Sequence, residues 1–256
     1  MQRLRPVSPR VLVGTSEFCT TTTTVVVADD DSCLVIDPAV GVDDIVVLCA
    51  DLDERGLTVA AGFSTHPHWD HVLWSAQLGD APRYAPLEAV DSANARRDRI
   101  VGQVAEFAPG HDPALLARLT ALPAGTTTVP WDGPRVEVVQ HRAHAPGHAA
   151  VVVVDDGVLV AGDMCSDIEM PLLDLDAADP VGDYRAAIEL FAALAVEQVV
   201  PGHGAVGDAR ELHRRLDADR RYLDAIEAGG GDDDPRLTED WLRRDHAAQV
   251  AFARRR

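Results

Sequence analysis

Apolar residues in the first third of this 256-residue chain fall into short β-branched runs. Residues 11–13, 20–28 and 33–37 read as strands, with the turn formers of 29–32 between the last two. They predict an antiparallel opening sheet. Residues 43–55 carry Ile45, Val46, Leu48, Cys49 and Leu52 at helical spacing, and Gly56 stands where a helix C-terminus favours glycine. Residues 58–63 read as a buried strand that runs into Ser64-Thr65-His66, so a histidine-rich segment is expected at a strand's C-terminal end.

From 86 to 122 the periodicity turns helical, with helices expected at 88–107 and 112–122, an insertion broken by Pro109-Gly110 and Pro113. Such an insertion is placed to act as a lid. Strands resume at 126–129, 135–141, 149–155 and 158–161, and Asp155-Asp156-Gly157 has the composition of a hairpin turn. After an irregular stretch at 172–182 come a helix over 183–195, a strand over 198–201 and a helix over 208–228. Gly229 to Asp234 reads as a flexible acidic break before a last helix over 238–254. No internal repeat indicates a solenoid. The expected organisation is one α/β domain over 1–228, with 229–256 as the break and a C-terminal helix.

Composition narrows the partners. Forty-two acidic residues against 23 basic ones give a formal charge of -19, which argues against nucleic acid and anionic membrane surfaces and favours a small-molecule substrate. The N-terminal residues lack the apolar run of a secretory signal, and no stretch approaches the roughly 18 apolar residues of a membrane span, so a cytoplasmic location is expected. Cys19, Cys33, Cys49 and Cys165 have no CxxC spacing and read as reduced thiols. Every basic residue is arginine, which excludes a catalytic lysine. Oligomeric state is not legible.

The chemistry is concentrated in His66-Pro67-His68-Trp69-Asp70-His71, where imidazoles and a carboxylate, all suited to zinc, share one loop. His66 and His68 can face one metal while Asp70 and His71 turn toward another. Sharp turns supply further donors: Pro146-Gly147-His148, Gly162-Asp163 and Pro201-Gly202-His203 each stand beside an expected strand. His141 and His144, just upstream, read as supporting or solvated residues, because the Pro-Gly turn favours His148. His111, His213 and His246 lack partners in their local pattern, and Cys165 reads as a small core residue. Trp69 and Trp74 bracket the metal loop, and the apolar residues of 164–173 are placed to line a pocket, which suits a moderately hydrophobic acyl substrate.

HxHxDH followed by a histidine, an aspartate and a final histidine resembles the metallo-β-lactamase superfamily over roughly residues 11–207. The resemblance implies a four-layer αββα sandwich of two mixed sheets between helices, which agrees with the strands and helices read above. It implies two zinc ions, with iron or manganese able to take the same donors. His66, His68 and His148 would hold the first metal and Asp70, His71 and His203 the second, with Asp163 bridging both. A hydroxide between two such ions is a nucleophile at neutral pH, its pKa drawn toward about 7. Asp70 would orient it and pass a proton to the leaving group, and so is the catalytic residue expected. A β-lactamase proper resembles this chain less, since it usually has Cys or Ser in place of Asp163, and a glyoxalase II match is thin at the C-terminus. Hydrolysis of an ester, lactone or thioester is the expected reaction. An iron-dependent oxidoreductase of the sulfur dioxygenase kind and a non-catalytic metal-binding protein are the alternatives.

Overall fold

The structure is a computed structural model that describes residues 1–255. Seven strands form the first sheet in sequence order: β1 (Arg5–Pro6), β2 (Val11–Thr15), β3 (Thr22–Val27), β4 (Ser32–Ile36), β5 (Thr58–Phe63), β6 (Arg83–Ala85) and β7 (Thr120–Ala121). Pairing is antiparallel from β1 to β4 and parallel from β4 to β7. The second sheet, of five strands, contains β8 (Val136–Gln140), β9 (Ala149–Val153), β10 (Val158–Gly162), β11 (Gln198–Pro201) and β12 (Gly207–Asp208), with β10 and β11 parallel. Both sheets are therefore mixed, as expected. The parallel pairs matter most, because β4–β5 and β10–β11 end together and leave their C-terminal loops side by side.

Alternation along the strands creates the layers. On the inner faces Val11, Val13, Val26, Leu34, Ile36 and Phe63 meet Val151, Val153, Val158, Val160 and Val200 in one apolar cluster. The residues between them face outward. Leu12, Val25, Cys33 and Val35 pack on Ile45, Leu48 and Leu52 of helix α1 (Val42–Glu54). Ala150, Val152, Leu159, Ala161 and Val199 pack beneath helices α4 (Pro180–Ala192) and α5 (Ala209–Glu227). Since each such side chain contributes roughly 1.5–3 kcal/mol when fully buried, a period-two pattern apolar on both faces forces helices onto each side. The αββα sandwich follows from that pattern.

The insertion departs from its expected form. In place of one helix over 88–107 there are α2 (Leu87–Ala95) and α3 (Arg97–Phe107), separated at Arg96. No helix forms over 112–122: Ala117 sits at φ 53°, Pro113 lies upstream, and the chain runs into β7. The carbonyl of Leu115 accepts from Arg83, and Ala117 N–H donates to Val72 O, so tertiary bonds replace helical ones. Residues 126–129 contribute only a bridge, Thr128 to Glu137, not a strand.

The segment read as an acidic break and a separate helix packs into the main core. Leu237 and Leu242 join Leu223 and Ile226 of α5, and helix α6 (Asp240–Ala253) brings Trp241 and Val250 to the same cluster. Arg236, 6% exposed, donates to Asp219 and Asp234. Among the described residues no helix is long and apolar enough to cross a membrane.

Candidate metal centre

Four strand ends deliver the site. β5 runs directly into Ser64-Thr65-His66, β10 ends at Gly162 just before Asp163, and β11 ends at Pro201 two residues before His203. The loop between β8 and β9 supplies the remaining histidine. Donor atoms gather in two groups, His66, His68, His144 and Asp163 in one and Asp70, His71 and His203 in the other, each within 4.8 Å.

Six of the seven residues singled out in the sequence fall in these groups, whereas His148 stands outside both with its ring 4.8 Å from that of His66, and His144 occupies the position expected for it. His144 Nε2 lies 2.9 Å from His68 Nδ1 and 3.4 Å from Asp163 Oδ2. His148 is fully buried beside Gly162, its ring 4.3 Å from that of His141, and neither ring nitrogen has a partner among the described residues. The Pro-Gly turn explains the difference. Gly147 adopts φ +67° and passes so close to the backbone of Glu88 and Ala89 that no Cβ fits, and the turn returns the chain to β9 with His148 O accepting from His141 N. The turn aims His148 into the sandwich, and its loop side carries His144.

Hydrogen bonds fix which nitrogen each imidazole offers. His71 Nδ1 donates to Asp37 Oδ2 at 3.0 Å, His144 Nδ1 to Leu172 O at 2.7 Å and His203 Nδ1 to Cys19 O at 3.1 Å. Thr65 Oγ1 gives its own proton to Asp37 Oδ2 and receives His66 Nδ1 at 3.0 Å. In each case Nε2 is left as a lone-pair donor aimed inward, the support that metal-binding imidazoles require. Nitrogens that face each other at about 3 Å, as His66 Nε2 and His68 Nδ1 do at 3.1 Å, suit a shared cation. Asp163 joins the groups, with Oδ1 3.1 Å from His71 Nε2 and Oδ2 3.4 Å from His66, His144 and His203. Its Oδ1 is buried without a hydrogen bond. Five imidazoles and two carboxylates, with no thiolate among them, fit two borderline divalent ions.

Electrostatics divides the histidines. Burial holds His66 down at about 4 against the pull of Asp163, and burial with the neighbouring imidazoles lowers His68 and His148. His71 and His203 are also buried, yet Asp163 and Asp70 outweigh burial and raise both well above the usual imidazole value. Asp163 and Asp70 stay below the ordinary carboxylate range despite burial, because His71 and His203 face them. Burial pushes Glu169 up to about 7 at the pocket wall.

Two contributors escaped the sequence reading. Asp37, at φ +48° after β4, accepts from Thr65 N at 2.9 Å, from Thr65 Oγ1 at 2.6 Å and from His71, and so orients two histidine-bearing segments. A polar residue ending a strand parallel to β5 was the available signal. Asp37→Ala should lower metal affinity about 10–100-fold by freeing His71 to rotate, measured by competition with a chromogenic chelator. Trp241, Arg244 and Gln249 of α6 also line the cavity. Of the expected wall residues, Trp69, Leu172 and Leu173 line it, whereas Trp74 packs in the core under α1 with Arg83 over its ring. His141 is buried against Phe191 and held at about 3 by burial, apart from both groups. Cys165 is a fully buried thiol, as read.

Residues 17–203 match the metallo-beta-lactamase superfamily. An uncharacterized protein of Mycobacterium leprae is 27% identical over 195 residues, 68% of this chain and 86% of that one. Among solved structures, a beta-lactamase domain protein from Burkholderia ambifaria superposes with a TM-score of 0.71 at 19% identity, over 97% of this chain and 86% of that one. A metallo-beta-lactamase family protein from Thermus thermophilus gives 0.70 at 19% identity, over 97% and 91%. Those likenesses establish the fold, and the match over 17–203, which spans both donor groups, establishes the family. The chain belongs to the metallo-β-lactamase superfamily.

Proposed function

We propose that the chain is a dinuclear metal-dependent hydrolase acting on an ester, lactone or thioester of a small acyl substrate. His66, His68, His144 and Asp163 would hold one ion and Asp70, His71, His203 and Asp163 the other, with zinc the favoured metal. One observation carries this reading: inward-facing imidazole nitrogens, whose opposite nitrogens are bonded to oxygen, surround a buried aspartate that touches both groups.

Divalent ions at such a site supply Lewis acidity toward a carbonyl oxygen and make a water acidic enough to act as nucleophile near neutral pH. The chain's own residues do the rest. Asp70 Oδ2 lies 3.4 Å from His203 Nε2 and 3.6 Å from His71 Nε2, which hold it ionised and able to orient a water or take up its proton for the leaving group. Phe18, Trp69 and Leu172 wall the cavity and limit bulk water around an acyl group. Elemental analysis of the purified protein, with turnover of a panel of lactones, thioesters, aryl esters and β-lactams, tests the proposal. Fewer than two ions per chain at metal saturation rejects the dinuclear centre, and no turnover when loaded with zinc rejects the hydrolytic reading. The same all-nitrogen-and-oxygen donor set suits iron, so iron in place of zinc would favour the oxidoreductase reading.

The raised pKa values of His71 and His203 set a pH dependence. Without metal both are held protonated by Asp163 and Asp70, so binding of cations must expel those protons. Calorimetry near neutral pH in buffers of different ionisation enthalpy should show release of about two protons per chain, with affinity falling as pH falls. As pH rises through the raised values the protons leave unaided and the release disappears. In the metal-free chain the same groups stabilise the fold fully below the unfolded imidazole pKa, and that stability is lost as pH rises through their folded values.

A further inference from the structure

We infer that the pocket accepts an acyl substrate bearing an anionic group, a carboxylate or phosphate, and that Arg99 and Arg244 determine this specificity. The inference rests on the hydrolytic reading for the reaction but not for the binding. The cavity, about 800 Å³, has His68, Asp70, His144, Asp163 and His203 at its floor. On one side Phe18, Trp69 and Phe107 form an aromatic row with ring centroids 5.2 and 5.7 Å apart. Phe107 remains 49% exposed, an apolar surface at the mouth that an acyl chain would cover. Arg99, two turns before Phe107 on α3, and Arg244 on α6 line the same cavity and are exposed.

Those two arginines are set apart by standing at the cavity without a carboxylate of their own. Acidic residues outnumber basic ones 42 to 23, so a carboxylate partner is readily found, and Arg185, Arg214, Arg215, Arg220 and Arg236 each have one. Among the described residues neither Arg99 nor Arg244 forms an ion pair or a hydrogen bond. The acidic groups nearby are placed otherwise. Asp176 faces Arg96 at 4.0 Å, Asp174 accepts from Asp176 N at 3.2 Å, and Asp245, the exposed chain neighbour whose carboxylate feels the charge of Arg244, forms no ion pair or hydrogen bond with it. Glu169 stands by the floor. Guanidinium groups on flexible stems at the mouth of a cavity, with no ion pair or hydrogen bond of their own, suit bidentate capture of a planar carboxylate or a phosphate. The aromatic row would take the apolar spacer between that anion and the acyl carbon.

The test compares 4-nitrophenyl pentanoate with mono(4-nitrophenyl) glutarate and its terminal phosphonate analogue, using the zinc-loaded enzyme. The anionic esters should show KM about tenfold below the neutral one, a preference weakened by salt. Arg99→Gln and Arg244→Gln should each move that ratio toward one, while Phe107→Ala should raise KM for all three esters. Binding is read separately by quenching of Trp69 and Trp241 fluorescence, where glutaramate, with one carboxylate, should bind about tenfold tighter than neutral pentanamide and lose that margin in both arginine variants. Whichever of carboxylate and phosphonate binds tighter identifies the group. Turnover of all esters with equal KM, and equal binding of glutaramate and pentanamide, overturns the inference and leaves the hydrolytic reading intact. Absent turnover with the arginine-dependent binding preserved rejects the hydrolytic reading alone.

Discussion

Asp163→Ala should abolish the binding of both ions together and lower kcat/KM at least about 10³-fold, the scale expected when a group shared by two parts of one catalytic unit is removed. Its Oδ1 faces His71 while Oδ2 faces His66, His144 and His203, so no other single side chain touches both donor groups so fully. The same variant removes the charge that most raises His71 and His203, so their imidazoles should titrate at lower pH in the metal-free protein. Elemental analysis and histidine NMR titration measure these effects. Retention of one full ion per chain by Asp163→Ala would show that the two groups bind independently.

The second large effect separates His144 from His148. His144→Ala should reduce the metal content to about one ion per chain and cost about 10²-fold or more in kcat/KM, because it deletes an inward-facing nitrogen held by Leu172 O. His148→Ala should keep both ions and instead lower stability by about 2–4 kcal/mol, as expected for removing a fully buried ring from a packed interior. Denaturant unfolding and metal analysis of the two variants together decide the assignment. Opposite results, with His148→Ala losing the ion and His144→Ala only destabilised, would restore the turn-based reading of the sequence.

Much of the centre was legible because it is local. HxHxDH places four donors in one loop, and Gly162-Asp163 and Gly202-His203 announce themselves through glycines at strand ends. The structure gives those glycines a cause. A Cβ at Gly202 would overlap Asp163 Oδ1, and Gly162, at φ +58°, has no space for one beside His148 Nε2. The choice between His144 and His148 was not local. It depends on the turn at Gly147 lying against the start of α2, a contact between segments about sixty residues apart that no pattern along the chain encodes. Asp37 was hidden because a lone acidic residue after a strand reads as an ordinary turn former. The αββα layering was legible through period-two alternation, whereas the irregular path over 112–122 was not, since its carbonyls and amides are satisfied by Arg83 and Val72 from elsewhere in the fold. The place of α6 against the cavity likewise needed tertiary packing to appear.

Each donor group draws from both sheets: His66, His68, Asp70 and His71 follow β5 of the first, and His144, Asp163 and His203 adjoin β8 to β11 of the second. The sheets already touch there, through Thr22 N–H to Gly202 O at 2.8 Å and the Thr21–His203 bridge. An ion seated in either group would thus act as a rivet across the seam of the sandwich. Its removal should loosen both halves at that edge together, which would couple metal occupancy to the cohesion of the whole domain.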